Sequence, residues 1–208
     1  MDLIWDFDGT LFDTYPLMAA SLQQAMREEG HAVPLTDIRA RMAVTLGYAL
    51  NCYREMYGIT DKTAARYDEL MKNAGPEAAA PFAGVAEICK WVCEHGGRNH
   101  LCTHRGMEAK DYMDHWGISQ YFDVYVTADD HLPRKPAPDM VKKVLEKTGK
   151  NNYDFIMIGD RELDIFAARG AGVKGCLFTN GKEDVETVAE YKINTFAEFF
   201  GKVVEENV

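Results

Sequence analysis

Basic residues are scarce in this chain: 23 Lys and Arg stand against 33 Asp and Glu, a formal charge of −10 over 208 residues. Nucleic acid and anionic membrane both reward clustered positive charge, so neither is expected as a partner. Long apolar runs are missing too, and none approaches the roughly 20 residues of a membrane-spanning helix. Met1-Asp2-Leu3 has neither the basic nor the apolar stretch of a secretory leader, so a cytoplasmic protein is expected. Cysteine amounts to five scattered residues, Cys52, Cys89, Cys93, Cys102 and Cys176. Their odd number reads as reduced thiols, not as a disulfide framework. Cys89 and Cys93 share one face of an expected helix, but no second pair accompanies them, so core packing explains them better than zinc. Repeats and low-complexity tracts are absent. What is there is 47% hydrophobic, enough for a substantial core. The length fits one large domain or a domain with a modest insertion.

Apolar runs at Leu3–Trp5, His100–Cys102, Val124–Val126, Phe155–Ile158 and Cys176–Phe178 alternate with helical patterns. Val85, Ile88, Cys89 and Val92 mark one such helix; Val141, Val144, Leu145 and Thr148 mark another. Strands alternating with helices imply right-handed crossovers, hence an α/β fold with a doubly wound parallel sheet. One connection is too long for a single crossover. From Pro16 to about Ala80 the pattern is helical, with stretches at Leu35–Gly47, Tyr48–Gly58 and Asp61–Asn73. This predicts an inserted all-α domain over 15–80, with an α/β core formed by 1–14 and 81–208. A bundle whose two ends lie together is expected to act as a cap that excludes water from the crevice of the sheet.

The acids at the strand ends carry the chemistry. Asp6 and Asp8 follow directly on Leu3–Trp5, where the crevice of an open α/β sheet lies. Two carboxylates so close repel each other unless a cation or a shared proton relieves them. Asp160 and Asp164 end the most apolar strand, four residues apart, so a helix starting near Arg161 aims both at the same mouth. Magnesium takes a few carboxylate oxygens plus water and phosphate, and Asp6 and Asp160 with the Asp8 carbonyl would supply such ligands. Thr103, at the end of the second strand, is placed to donate to a phosphate oxygen. Lys135, held by Pro136 and Pro138, presents a fixed ammonium that can neutralise a nucleophilic carboxylate and the phosphoryl group it attacks. His104 and Arg105, beside Thr103, and Arg161, beside Asp160, are candidate contacts for a substrate carboxylate or second phosphate. His100 reads instead as a hydrogen-bonded core residue, and Tyr48 and Arg54 are candidates in the insertion.

Taken together, Asp6-Phe7-Asp8-Gly9-Thr10-Leu11, Thr103, Lys135-Pro136 and Gly159-Asp160 with Asp164 resemble the four motifs of the haloacid dehalogenase superfamily of phosphatases. The stretch Asp8–Pro16 looks like its phosphoglycolate phosphatase branch, with two departures: His104-Arg105 in place of Asn-Lys, and Trp5 in place of a smaller aliphatic residue. The resemblance implies a Mg-dependent hydrolase of a small phosphorylated metabolite, of the phosphoglycolate or sugar phosphate class, working as a monomer or homodimer. By the same resemblance Asp6 is the nucleophile, Asp8 the general acid and base, and Thr103 and Lys135 balance charge on the phosphoryl oxygens. Asp6, Asp8 and Asp160 hold the metal, while Asp164 ligates it or orients Lys135. Substrate contacts would come from Thr103, His104, Arg105 and Lys135.

Three other readings compete. A phosphomutase of the β-phosphoglucomutase type uses the same carboxylate pair and differs in the acceptor. Dehalogenation needs neither Asp8 nor a metal cluster, and this chain has both. A catalytically silent binding or regulatory module has no use for Asp6, Asp8, Lys135, Asp160 and Asp164 together.

Overall fold

The protein is described here from a computed structural model covering residues 1–182 and 184–205. Strands β1 (Asp2–Trp5), β2 (Asn99–Cys102), β3 (Phe122–Val126), β4 (Phe155–Gly159), β5 (Lys174–Phe178) and β6 (Tyr191–Ile193) form one parallel sheet. Their order is β3-β2-β1-β4-β5-β6. The helices are α1 (Tyr15–Glu28), α2 (Leu35–Met42), α3 (Leu46–Tyr57), α4 (Asp61–Asn73), α5 (Val85–Glu94), α6 (Ala109–His115), α7 (Asp139–Thr148) and α8 (Glu162–Gly170).

The chain divides into two compact units, Met1–Asp13 with Ala80–Val208, and Thr14–Ala79. In the first, successive residues of β1 face opposite layers, as the pleat requires. Ile4 packs with Val141, Val144 and Ala168 of α7 and α8. Trp5 turns the other way, its ring 5.7 Å from Phe196, which stacks on Phe178 at 4.3 Å. Both faces are covered, so β1 and β4 are buried along their whole length and read as plain apolar runs. The large Trp5 brings a polar atom into this core. Its indole N–H donates to Asn99 Oδ1 at 3.0 Å, and the Asn99 amide donates to the carbonyls of Cys89 and Tyr121. A buried amide thus stays satisfied.

β6 was not among the expected strands. With three residues, Tyr191 and Ile193 inward and Lys192 outward, it carries too little pattern to read. In the second unit the expected helix over Leu35–Gly47 stops at Met42, and the next begins at Leu46. Thr45 makes the break: its hydroxyl accepts from the Tyr48 amide at 2.9 Å, an N-cap. This unit has its own core of Leu22, Met26, Ile38, Leu50, Tyr53 and Tyr67. The one polar atom of Tyr53 is satisfied by donating to Asp37, which also pairs with Arg41.

Candidate active site

The strand order reverses between β1 and β4, and in such sheets the ligand crevice opens at the carboxyl ends of those two strands. Register does the rest. Trp5 lies opposite Ile158, and the Asp6 amide donates to the Ile158 carbonyl at 2.9 Å, so Asp6 leaves β1 beside Gly159-Asp160. Oxygens of Asp6, Asp160 and Asp164 all lie within 4.8 Å of one another. Asp164 comes back to this point because α8 starts at Glu162, and its carboxylate accepts from the Arg161 amide at 3.3 Å. Gly159 allows the approach: a Cβ there would overlap the Asp164 side chain.

Lys135 is the cation of this cluster. Its Nζ lies 2.7 Å from Asp6 Oδ1 and 2.6 Å from Asp164 Oδ1, and donates to the Cys102 carbonyl at 2.9 Å. Burial alone would lower the lysine, but Asp164 and Asp6 outweigh it and hold the ammonium charged, above its ordinary value. Burial pushes the Asp164 carboxyl up to about 6, against the pull of Lys135. Three acids against one buried cation leave negative charge over. Asp6 Oδ2 is moreover buried and takes no hydrogen bond from the described residues. A hard divalent cation fits this donor set, because it takes carboxylate oxygens and needs just such idle lone pairs.

Asp8 sits in the turn after β1, where Gly9 adopts φ 78 and its amide donates to the Phe12 carbonyl at 2.8 Å. That left-handed conformation favours glycine over any residue with a Cβ. Asp8 pairs with Arg105 Nη2 at 2.6 Å. The Arg105 guanidinium lies 5.3 Å from the Phe7 ring and 5.6 Å from Tyr112, within cation–π range of both. Thr103 is fully buried, and its Oγ1 accepts from the Arg105 amide at 3.1 Å, keeping its own proton to give elsewhere. His104 does not point outward as an unattached side chain. Its Nε2 accepts from the Lys135 amide at 2.8 Å. Burial and the cations Lys135, Arg134 and Arg161 lower the ring's pKa to about 3, so it is neutral. Arg161 Nε stands 3.9 Å from Asp160.

Asp6, Lys135, Asp160 and Asp164 therefore meet directly, and Asp8 with Arg105 forms an adjoining pair. Phe7 and Tyr112 were not singled out by the sequence; their signal, two aromatics flanking an arginine, exists only in space. His100 belongs to the opposite end of the sheet, with Nε2 3.3 Å from Asp2. The five cysteines are all free. Burial raises the thiol of Cys102, next to Thr103, to about 12, which excludes it as a nucleophile.

The sequence profile of the haloacid dehalogenase-like hydrolases matches residues 3–178. A phosphoglycolate phosphatase of Agrobacterium fabrum is 28% identical over 193 residues, covering 89% of this chain and 83% of its own length. A pyrophosphatase, PpaX, of Halalkalibacterium halodurans is 27% identical over 186 residues, covering 83% and 80%. Among solved structures, a haloacid dehalogenase-like family hydrolase of Streptococcus pneumoniae shares the fold at TM-score 0.81 and 19% identity, over 96% of both chains. A subfamily IA hydrolase of the same superfamily from Geobacter sulfurreducens matches at TM-score 0.73 and 21% identity, over 96% of this chain and 94% of its own. The profile match runs from β1 to the end of β5 and takes in every strand tip that lines the crevice: the chain is an enzyme of the haloacid dehalogenase-like hydrolase family.

Proposed function

We propose that the protein is a Mg-dependent phosphatase that hydrolyses a small phosphorylated metabolite through an aspartyl-phosphate on Asp6. One observation carries the reading: Asp6 is buried with one oxygen held by Lys135 at 2.7 Å and the other idle, in a cluster with Asp160 and Asp164. An anchored carboxylate with a spare oxygen has the form of a nucleophile.

In the first step Asp8 carries a proton: an Asp6 carboxylate oxygen attacks phosphorus, the ester oxygen leaves, and Asp8 gives it that proton. In the second, Asp8 takes a proton from water, the water oxygen attacks phosphorus, and the bond to Asp6 breaks to release inorganic phosphate. Lys135 offsets the charge of Asp6, and the Thr103 hydroxyl donates to a phosphoryl oxygen, so positioning and electrostatics do most of the catalysis. Asp6, Asp160 and Asp164, with the Asp8 carbonyl, are the groups that would hold magnesium. Bound there, it lowers the repulsion between carboxylate and phosphate. Arg105 is the candidate contact for a second anionic group on the substrate, which within the phosphoglycolate or sugar phosphate class favours esters that carry a carboxylate, as phosphoglycolate does, or a second phosphate. A substrate anion at Arg105 also competes with Asp8 for the guanidinium, leaving Asp8 available for proton transfer.

The test is release of inorganic phosphate from a panel of small esters, phosphoglycolate and sugar phosphates included, with magnesium and with chelator. Hydrolysis of one class, lost on chelation and restored by magnesium, is the expected outcome. Migration of phosphate between hydroxyls without release assigns a mutase, and inertness toward every ester overturns the reading.

A further inference from the structure

We propose that His104 is a positioning residue, which fixes Lys135 beside Asp6 by gripping the lysine backbone. The inference deepens the phosphatase reading and rests on it.

Lys135 lies in the irregular segment that leads into α7. Its long side chain has many rotamers, so the place of its ammonium between Asp6 and Asp164 depends on where its backbone is held. Three hydrogen bonds join that segment to the tip of β2. Arg134 Nη2 donates to the His104 carbonyl at 3.0 Å, the Lys135 amide donates to His104 Nε2 at 2.8 Å, and Lys135 Nζ donates to the Cys102 carbonyl at 2.9 Å. Only the middle one fixes the main chain of the lysine itself, and it needs an unprotonated ring nitrogen. Nδ1 must then carry the ring hydrogen, since an imidazolium has no acceptor left. Burial and the neighbouring cations Lys135, Arg134 and Arg161 favour that neutral ring. With Nε2 committed to the Lys135 amide, it is not available to a substrate.

Three variants test this. Gln places Oε1 where His carries Nε2; Asn falls about one bond short; Ala has no acceptor. In His104→Ala and His104→Asn, kcat is expected to fall roughly ten- to hundredfold with KM within about twofold, the signature of a misplaced group and not of lost binding. His104→Gln is expected to recover most of that loss. Independently of activity, hydrogen exchange at the Lys135 amide is expected to quicken in His104→Ala and His104→Asn and to stay slow in His104→Gln. A rise in KM with kcat intact, a Gln variant as impaired as Ala, or unchanged exchange at Lys135 in His104→Ala overturns the proposal. If the wild-type protein hydrolyses no ester, the phosphatase reading fails on that result alone, and the exchange comparison still decides whether His104 holds Lys135.

Discussion

Strand β1 begins at one buried aspartate and runs directly into another, each gripped by a lysine, and the two ends differ in what is left over. At the amino end, Asp2 takes Lys150 Nζ at 2.7 Å, the Arg98 amide at 3.1 Å and His100 Nε2 at 3.3 Å, so both its oxygens are engaged. At the carboxyl end, Lys135 Nζ stands at the same 2.7 Å from Asp6, but Asp6 Oδ2 is idle, and Asp160 and Asp164 add charge that one lysine does not cancel. The lysines differ as well: the Lys150 side chain is 43% exposed and that of Lys135 0%. A buried ion pair is therefore no sign of a site in itself. The idle oxygen and the surplus of acids are.

Substitutions at the two ends should separate along this line. The largest effect is expected from Asp6→Asn, which removes the proposed nucleophile: kcat should drop by roughly a thousandfold or more, with the circular dichroism spectrum of the wild type. Retention of most magnesium-dependent turnover would count against the assignment. Lys135→Met comes next, with kcat down about a hundred- to thousandfold. It also strands three acids without their cation, so unfolding in denaturant without divalent metal should show a loss of about 3–5 kcal/mol. Added magnesium should recover part of that stability, and no recovery would argue against a metal among these carboxylates.

At the other end Asp2→Asn should spare kcat and cost about 1–3 kcal/mol at neutral pH, measured by urea unfolding. Burial alone would raise Asp2, yet His100 and Lys150 outweigh it and hold the folded carboxyl below its ordinary value of 3.8. The group thus stabilises the fold above that value and loses its contribution as pH falls through it toward the lower folded pKa. The wild type should lose stability over that acid range more steeply than Asp2→Asn; parallel curves would refute the pairing. Lys150→Ala, at a half-exposed partner, should cost under about 1 kcal/mol.

Much of the acidic cluster was legible because it is written locally. Asp6, Asp8, Asp160 and Asp164 stand directly behind apolar runs, and a parallel sheet buried on both faces makes such runs easy to see. Boundaries were less legible. Asn99 opens β2 with a polar residue, and its burial makes sense only beside Trp5 from a strand distant in sequence. The break between α2 and α3 was available in principle, since Thr45 has the chemistry of an N-cap. The pairing of Arg105 with Asp8, and of His104 with the Lys135 amide, was not. Their place beside Thr103 marks both as candidate substrate contacts and says nothing of these partners. Which atoms they meet depends on loops brought together by the crossovers, and no local pattern encodes that.

Gly159 shows how little slack the acidic cluster has. The gap between the tip of β4 and the first turn of α8 is set by a hydrogen where other residues have carbon. Adding even one methyl would have to displace Asp164, which pairs with Lys135, so a substitution that looks mild on paper acts on the charge balance around Asp6. Drift at this position is thus closed off even though its own side chain does nothing, and tolerance to mutation along the strand should be lowest where there is least to mutate.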